Sequence, residues 1–205
     1  MNKTLLISIA LFSYLWYRKK DSNIILDDSI PDSWLVPSYD SEYILFAGTI
    51  PYENDVMQYK VPIMKVADIY NIEAAVIAGM ICKESGGIAN KINGRFIGLM
   101  QFGLQEAKTM GYKGNAQSLL DPTTDIYWGT TYLNYCIKQQ GNLEKGISGY
   151  NSGNVEGHPS FQSDYVDMVS LYASRFRFLL AQSFPGYPTI FPRETWLRGE
   201  IVSTV

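Results

Sequence analysis

The sequence predicts a mainly α-helical protein, and three observations predict it. From Pro62 onward, apolar residues recur at three- and four-residue spacing, the period of helices with one buried face. Proline and glycine punctuate these segments as helix ends require, with Pro122 opening a long one and Gly141 following it. A chain of 205 residues with 46% hydrophobic composition can bury a core of its own, so one domain with appendages is expected. No internal repeat is present.

The first twenty residues, "MNKTLLISIALFSYLWYRKK", form a charged start, an apolar run from Leu5 to Tyr17 and a basic stop. The run is shorter than the ~20 residues of a standard span and has the length of a signal-peptide core. No small-x-small cleavage site follows it; Arg18, Lys19 and Lys20 do. Trp16 and Tyr17 beside three cations suit a membrane interface. An uncleaved anchor over residues 1–20 is therefore expected, ahead of a cleaved signal or a buried helix. The positive-inside rule would keep the body cytoplasmic.

Residues 21–61 carry Pro31, Pro37 and Pro51 without a sustained period, and read as an extended connector with a short strand at Tyr43–Ala47. The helical domain is expected over 62–180. Its helices are "VPIMKVADIYNI", then "EAAVIAGMICKES" opening on Glu73, whose charge suits a helix start. After a loop come "LQEAKTMG", "PTTDIYWGTTYLNYCIKQQG", "LEKGISGYN" and "FQSDYVDMVSLYASRFRFLLAQS". Residues 181–205 read as an irregular tail.

Charge narrows the function. Lys3, Arg18, Lys19 and Lys20 leave 13 basic against 20 acidic residues in the remainder. A body this acidic argues against a nucleic-acid groove, which needs clustered cations. Cys82 and Cys136 are too few and too far apart for a metal motif, and are expected to be buried free thiols. His158, the one histidine, lies in the loop "EGHPS" and reads as a surface residue, so a zinc site or a Ser-His-Asp triad has little to work with. Neither a metal nor a cofactor is expected.

One carboxylate stands out. Ile77, Met80, Ile81 and Glu84 fall at i, i+3, i+4 and i+7, so Glu84 shares a helix face with core residues, just before Gly86 and Gly87 end the helix. A carboxyl half-removed from water has its charged form disfavoured and its pKa raised, as a general acid near neutral pH requires. The plain alternative is a helix-end glutamate turned out to solvent.

The segments around it decide between these. Glu84-Ser85-Gly86, Gly98-Leu99-Met100-Gln101, the set Leu120, Pro122, Ile126, Gly129, Tyr132 and Leu133, then Gly149-Tyr150-Asn151-Ser152-Gly153, and lastly Tyr165-Val166 occur in order. Together they resemble the soluble lytic transglycosylase family, of lysozyme-like (goose-type) fold, over about residues 62–178. The resemblance implies that Glu84 is the catalytic acid, protonating the glycosidic oxygen between N-acetylmuramic acid and N-acetylglucosamine. The same glutamate would then take the proton of the muramic C6 hydroxyl, giving 1,6-anhydro ends without water. It also implies substrate-binding roles for Gly98, Leu99, Met100, Gln101, Tyr150, Asn151 and Tyr165. Ser85 has two equal readings, a substrate contact or a helix terminator; Gln101 could instead tie its loop in place.

No second carboxylate lies in a motif. Asp121 and Asp125 read as first-turn acids complementing a helix dipole, and Asp164 as a cap. Three departures concern subsites. The family continues Met-Gln-(Ile/Leu)-Met-Pro where this chain has Phe102-Gly103-Leu104, which predicts a thinner groove wall at Gly103. Gly149 replaces an alanine, and Asp125 an asparagine.

The expected partner is the peptidoglycan glycan strand, with the membrane engaged through residues 5–17 and no nucleic acid. Cell-wall cleavage conflicts with a cytoplasmic body. A phage virion-associated, wall-penetrating enzyme resolves that conflict, as does a bacterial envelope enzyme in contact with other envelope-machine proteins. A goose-type-like muramidase hydrolase and an inactive wall-docking component are the alternatives in activity.

Overall fold

The computed structural model describes residues 35–36, 45–46, 49–152 and 162–187. The chain divides into two units, Met1–Trp34 and Leu35–Val205, and every described residue belongs to the second. The expected anchor, His158, Gly153 and residues 188–205 lie outside the described residues. Among the described residues, no helix is long and apolar enough to cross a membrane.

Among the described residues, seven α-helices form the body: α1 (Glu53–Met57), α2 (Lys60–Tyr70), α3 (Ala74–Ser85), α4 (Leu104–Thr109), α5 (Pro122–Gln140), α6 (Leu143–Ser152) and α7 (Ser163–Ser183). The mainly helical expectation therefore matches, and the six expected helices appear within two residues or so of their limits. Pro122 occupies the first turn of α5, Asp121 caps it by accepting from the Thr124 N–H at 2.8 Å, and Gly141 ends it with φ 84°.

α3 is central. All of its residues from Ala74 to Cys82 are buried, so it is enclosed on every side rather than along one stripe. A helix without a polar face is what full enclosure demands. Its main partner is α7, which presents Val169, Ala173, Phe176 and Leu180 at four-, three- and four-residue spacing, all fully buried. Burying such side chains contributes roughly 1.5–3 kcal/mol each. α2 packs beside α3, and α5 against α6. Two ion pairs lock the far end of α7: Arg175 to Glu53 of α1 at 2.7 Å, and Arg177 to Glu73 before α3. Glu73 thus serves as a buried ion partner and makes no side-chain cap.

Two features depart from expectation. Residues 53–57, read as connector, form α1; five residues are too few to show a period, and Pro51 masked its start. The loop expected after α3 contains a three-stranded antiparallel sheet: β3 (Ile92–Asn93), β4 (Phe96–Ile97) and β5 (Phe102–Gly103). Its register pairs Ile92 with Ile97 and Ile97 with Phe102. A second pair, β1 (Leu35–Val36) and β2 (Leu45–Phe46), lies in the connector, β2 within the expected Tyr43–Ala47 strand. Gly98–Gln101 is the turn between β4 and β5, carried by the sheet beside the end of α3.

Candidate active site

Glu84 is the penultimate residue of α3 and is half-buried. The helix stops there for local reasons. Gly86 takes the left-handed conformation at φ 66°, and its N–H bonds the carbonyls of Ile81 and Cys82. A β-carbon on Gly87 would lie 2.6 Å from the backbone of Asp55, so only glycine lets α1 close over this end. Ser85 is buried; its hydroxyl donates to the Ile81 carbonyl at 3.1 Å and accepts from the Gly87 N–H at 3.1 Å. Of its two readings, these bonds fit the helix terminator.

The Glu84 carboxyl meets Tyr165, from the first turn of α7, whose phenol donates to Glu84 Oε1. Burial pushes the Glu84 pKa up, while the Tyr165 hydrogen bond and the Lys83 and Lys91 charges pull it down; burial wins. Burial likewise raises the Tyr165 phenol well above its ordinary value, aided by the adjacent Glu84 charge, so it stays a hydrogen-bond donor. Lys91 Nζ donates to the Glu84 backbone carbonyl at 2.6 Å.

The Gly98–Gln101 turn is fixed from several sides. Gln101, almost wholly buried, donates through Nε2 to the Gly98 carbonyl at 2.8 Å and the Lys91 carbonyl at 3.1 Å. Lys91 thereby connects Gln101 to Glu84, with its carbonyl on one and its ammonium on the other. The observed bonds of Gln101 are those of a loop tie. Leu99 and Met100 are fully buried, so their side chains build the inner wall of the turn. Met100 packs on α5 where Gly129 stands; a β-carbon there would lie 2.6 Å from Met100 Cβ, which accounts for the motif glycine. Tyr150 is buried on α6 and donates to the Met100 carbonyl at 2.8 Å rather than to Glu84. Its ring lies 5.2 Å from that of Tyr132, centroid to centroid. Asn151 is exposed at the end of α6.

Two sequence readings are incomplete. Asp125 lies in the first turn of α5 as expected, but it is wholly buried, and Oδ1 accepts from the Met100 N–H at 2.7 Å. The wall at Gly103 is not simply thinner either. A β-carbon on Gly103 would lie 2.1 Å from Glu106 Oε2, so the Glu106 carboxylate fills the space, held by Arg95 at 2.8 Å. This charged wall borders a cleft of about 370 Å³, lined by Ile92, Arg95, Gly103, Glu106, Gln117 and Leu120, which does not take in Glu84. The sequence reading missed Lys83, Lys91 and Glu106 as neighbours of the site. Lys83, adjoining Glu84, was the one with a visible signal.

The Transglycosylase SLT domain model matches residues 62–165, just over half of the chain. The chain belongs to the SLT transglycosylase family. The match takes in Glu84, the Gly98–Gln101 turn, Tyr150 and, as its last residue, Tyr165. At family level this means a lysozyme-like domain and a transglycosylase, a lyase acting on peptidoglycan. Both cysteines are buried, and burial raises each thiol to about 12.

Proposed function

We propose that this protein is a peptidoglycan lytic transglycosylase that cleaves the β-1,4 bond between N-acetylmuramic acid and N-acetylglucosamine and leaves 1,6-anhydromuramoyl ends. The observation that carries this reading is the Glu84 carboxyl, half-buried, raised in pKa and bonded to Tyr165. A raised pKa lets the acid hold its proton to higher pH than an ordinary glutamate, which is the direction a proton donor needs.

The reaction balances on one carboxyl. Protonated Glu84 gives its proton to the bridging oxygen as the C1–O bond breaks and the N-acetylglucosamine hydroxyl leaves. The resulting carboxylate takes the proton of the muramic C6 hydroxyl as O6 bonds to C1. Glu84 ends protonated again, and no water is consumed. The tyrosine phenol favours the ionised form and so eases the intermediate state. A hydrolase of either stereochemistry needs a second carboxylate at roughly 5–9.5 Å. The groups that shift the Glu84 carboxyl are Tyr165, Lys83 and Lys91, and the single-carboxyl route calls on no second acid. Digestion of purified sacculi tests the assignment: Glu84→Gln is expected to lose about 10²–10⁴-fold in rate with the fold intact. Near-native activity in that variant would remove Glu84 from the mechanism.

The location we propose is a phage particle, with the enzyme anchored through residues 5–17 and opening the wall locally during infection. The support is in the sequence: a basic-flanked apolar run that would hold a bacterial protein on the wrong side of its membrane. Proteomics of purified particles tests it. Recovery only in host envelope fractions would favour a bacterial envelope enzyme.

A further inference from the structure

Asp125 has an environment that the acid chemistry of Glu84 does not explain. It is wholly buried in the first turn of α5. Oδ1 holds the Met100 N–H, whereas Oδ2 is buried with no hydrogen-bond partner. Among the described residues Asp125 forms no ion pair. Among the described residues, three elements bring groups to it, and none of those groups is a cation. The Gly98–Gln101 turn offers the Leu99 and Met100 N–H groups. α6 offers the Tyr150 phenol, which burial raises well above 10 and keeps neutral. The 3-10 turn at Gln117–Leu120 offers the Leu119 carbonyl. That carbonyl and Asp125 Oδ2 lie on the same side of Gly98: a β-carbon there would meet them at 3.0 Å and 2.1 Å.

Asp125 also acts on a strained segment. Met100 is pinned at both ends of its backbone, the N–H by Asp125 and the carbonyl by Tyr150. The next residue, Gln101, has φ 47°, a left-handed conformation unusual for a residue with a β-carbon. Such a conformation persists only where its surroundings impose it.

We propose that Asp125 is a positioning residue that works as a neutral carboxylic acid, Oδ1 pinning the Met100 N–H and a protonated Oδ2 turned toward the Leu119 carbonyl, so that a proton sets the turn beside Glu84. An uncompensated carboxylate in such a place would instead carry the full cost of a buried, unpaired charge. Consistent with this, burial raises the Asp125 pKa to about 8 against the opposing Met100 and Leu99 N–H groups. Only the catalytic consequence of the proposal rests on the transglycosylase reading.

The sign follows by linkage. The unfolded chain releases this proton near 3.8 and the folded one near 8. Asp125 therefore makes stability fall as pH rises through that window, with the loss complete above it. Asparagine offers Met100 the same acceptor and presents N–H groups in place of the O–H at every pH.

The test uses the full chain, wild type and Asp125→Asn, with thermal unfolding from pH 4 to 9 and the Met100 amide followed by ¹H–¹⁵N NMR. The Tm advantage of Asp125→Asn should be near zero at pH 4 and grow by several degrees toward pH 8. The Met100 amide should titrate with a midpoint near pH 8 in the wild type and stay flat in the variant. Parallel Tm curves, or a wild-type Met100 amide that does not move between pH 6 and 9, would overturn the proposal. Neither readout uses activity, so an inactive enzyme would leave this result standing, and the reverse.

Discussion

Glu84 feels burial pushing its pKa up and three partners pulling it down, and Tyr165 is the strongest of the three. That ordering makes a directional prediction. Tyr165→Phe removes the hydrogen bond to the ionised form, so Glu84 should hold its proton to higher pH. Activity that needs the protonated acid is lost as pH rises through the folded pKa, and the alkaline limb of the rate profile should move upward in this variant. A stationary limb, or one shifted to lower pH, would show that Tyr165 does not set the acid's ionisation. The stability sign is separate: a raised folded pKa means Glu84 costs stability as pH climbs from about 4.5. Strain of this kind, with chemistry gaining where the fold loses, is common at active sites. The helical spacing of Ile77, Met80, Ile81 and Glu84 made this residue legible from sequence. Asp125 was not: an acid in a first turn normally faces solvent, and only its replacement of the family's asparagine hinted otherwise.

At the scale of elements, two glycines in helices make opposite demands. Gly79 lies where α3 crosses α7; a β-carbon there would sit 2.8 Å from the Val169 carbonyl oxygen and 3.0 Å from the Ala173 nitrogen. Backbone cannot step aside as a side chain can, so Gly79→Ala should destabilise by about 1–3 kcal/mol, the usual cost of overpacking. Gly149 in α6 would meet nothing nearer than Gln140 Cγ at 3.5 Å. The alanine usual in the family fits there, and Gly149→Ala should stabilise by about 0.5–1 kcal/mol through reduced chain entropy. Chemical denaturation of both variants checks the pair; equal shifts of one sign would contradict the packing described. The long helices were legible because α5 carries Pro122, Asp121 and Gly141 at its ends and α7 repeats its apolar residues for five turns. The sheet was not. Two-residue strands are shorter than any alternation the sequence can display, although Asn93-Gly94 is a hairpin signal.

The molecule as a whole extends beyond the matched family segment at both ends. The match stops at Tyr165, yet Val169, Ala173, Phe176 and Leu180 bury the outer face of α3, and Arg175 and Arg177 tie α7 to Glu53 and Glu73. Helix α3 is thus enclosed by residues that the motifs do not contain, and a chain cut at Tyr165 would leave its apolar face exposed. What this enclosed helix presents is a single tuned carboxyl, and the central claim is that it does the work of both acid and base. Mass spectrometry of the muropeptides released from purified sacculi tests that claim most directly. The expected products carry 1,6-anhydromuramic ends, at the mass of the glycan minus water relative to a reducing end, and they vanish with Glu84→Gln. Reducing N-acetylmuramic ends would contradict it and make the enzyme a muramidase, and intact sacculi would make the domain a wall-docking one.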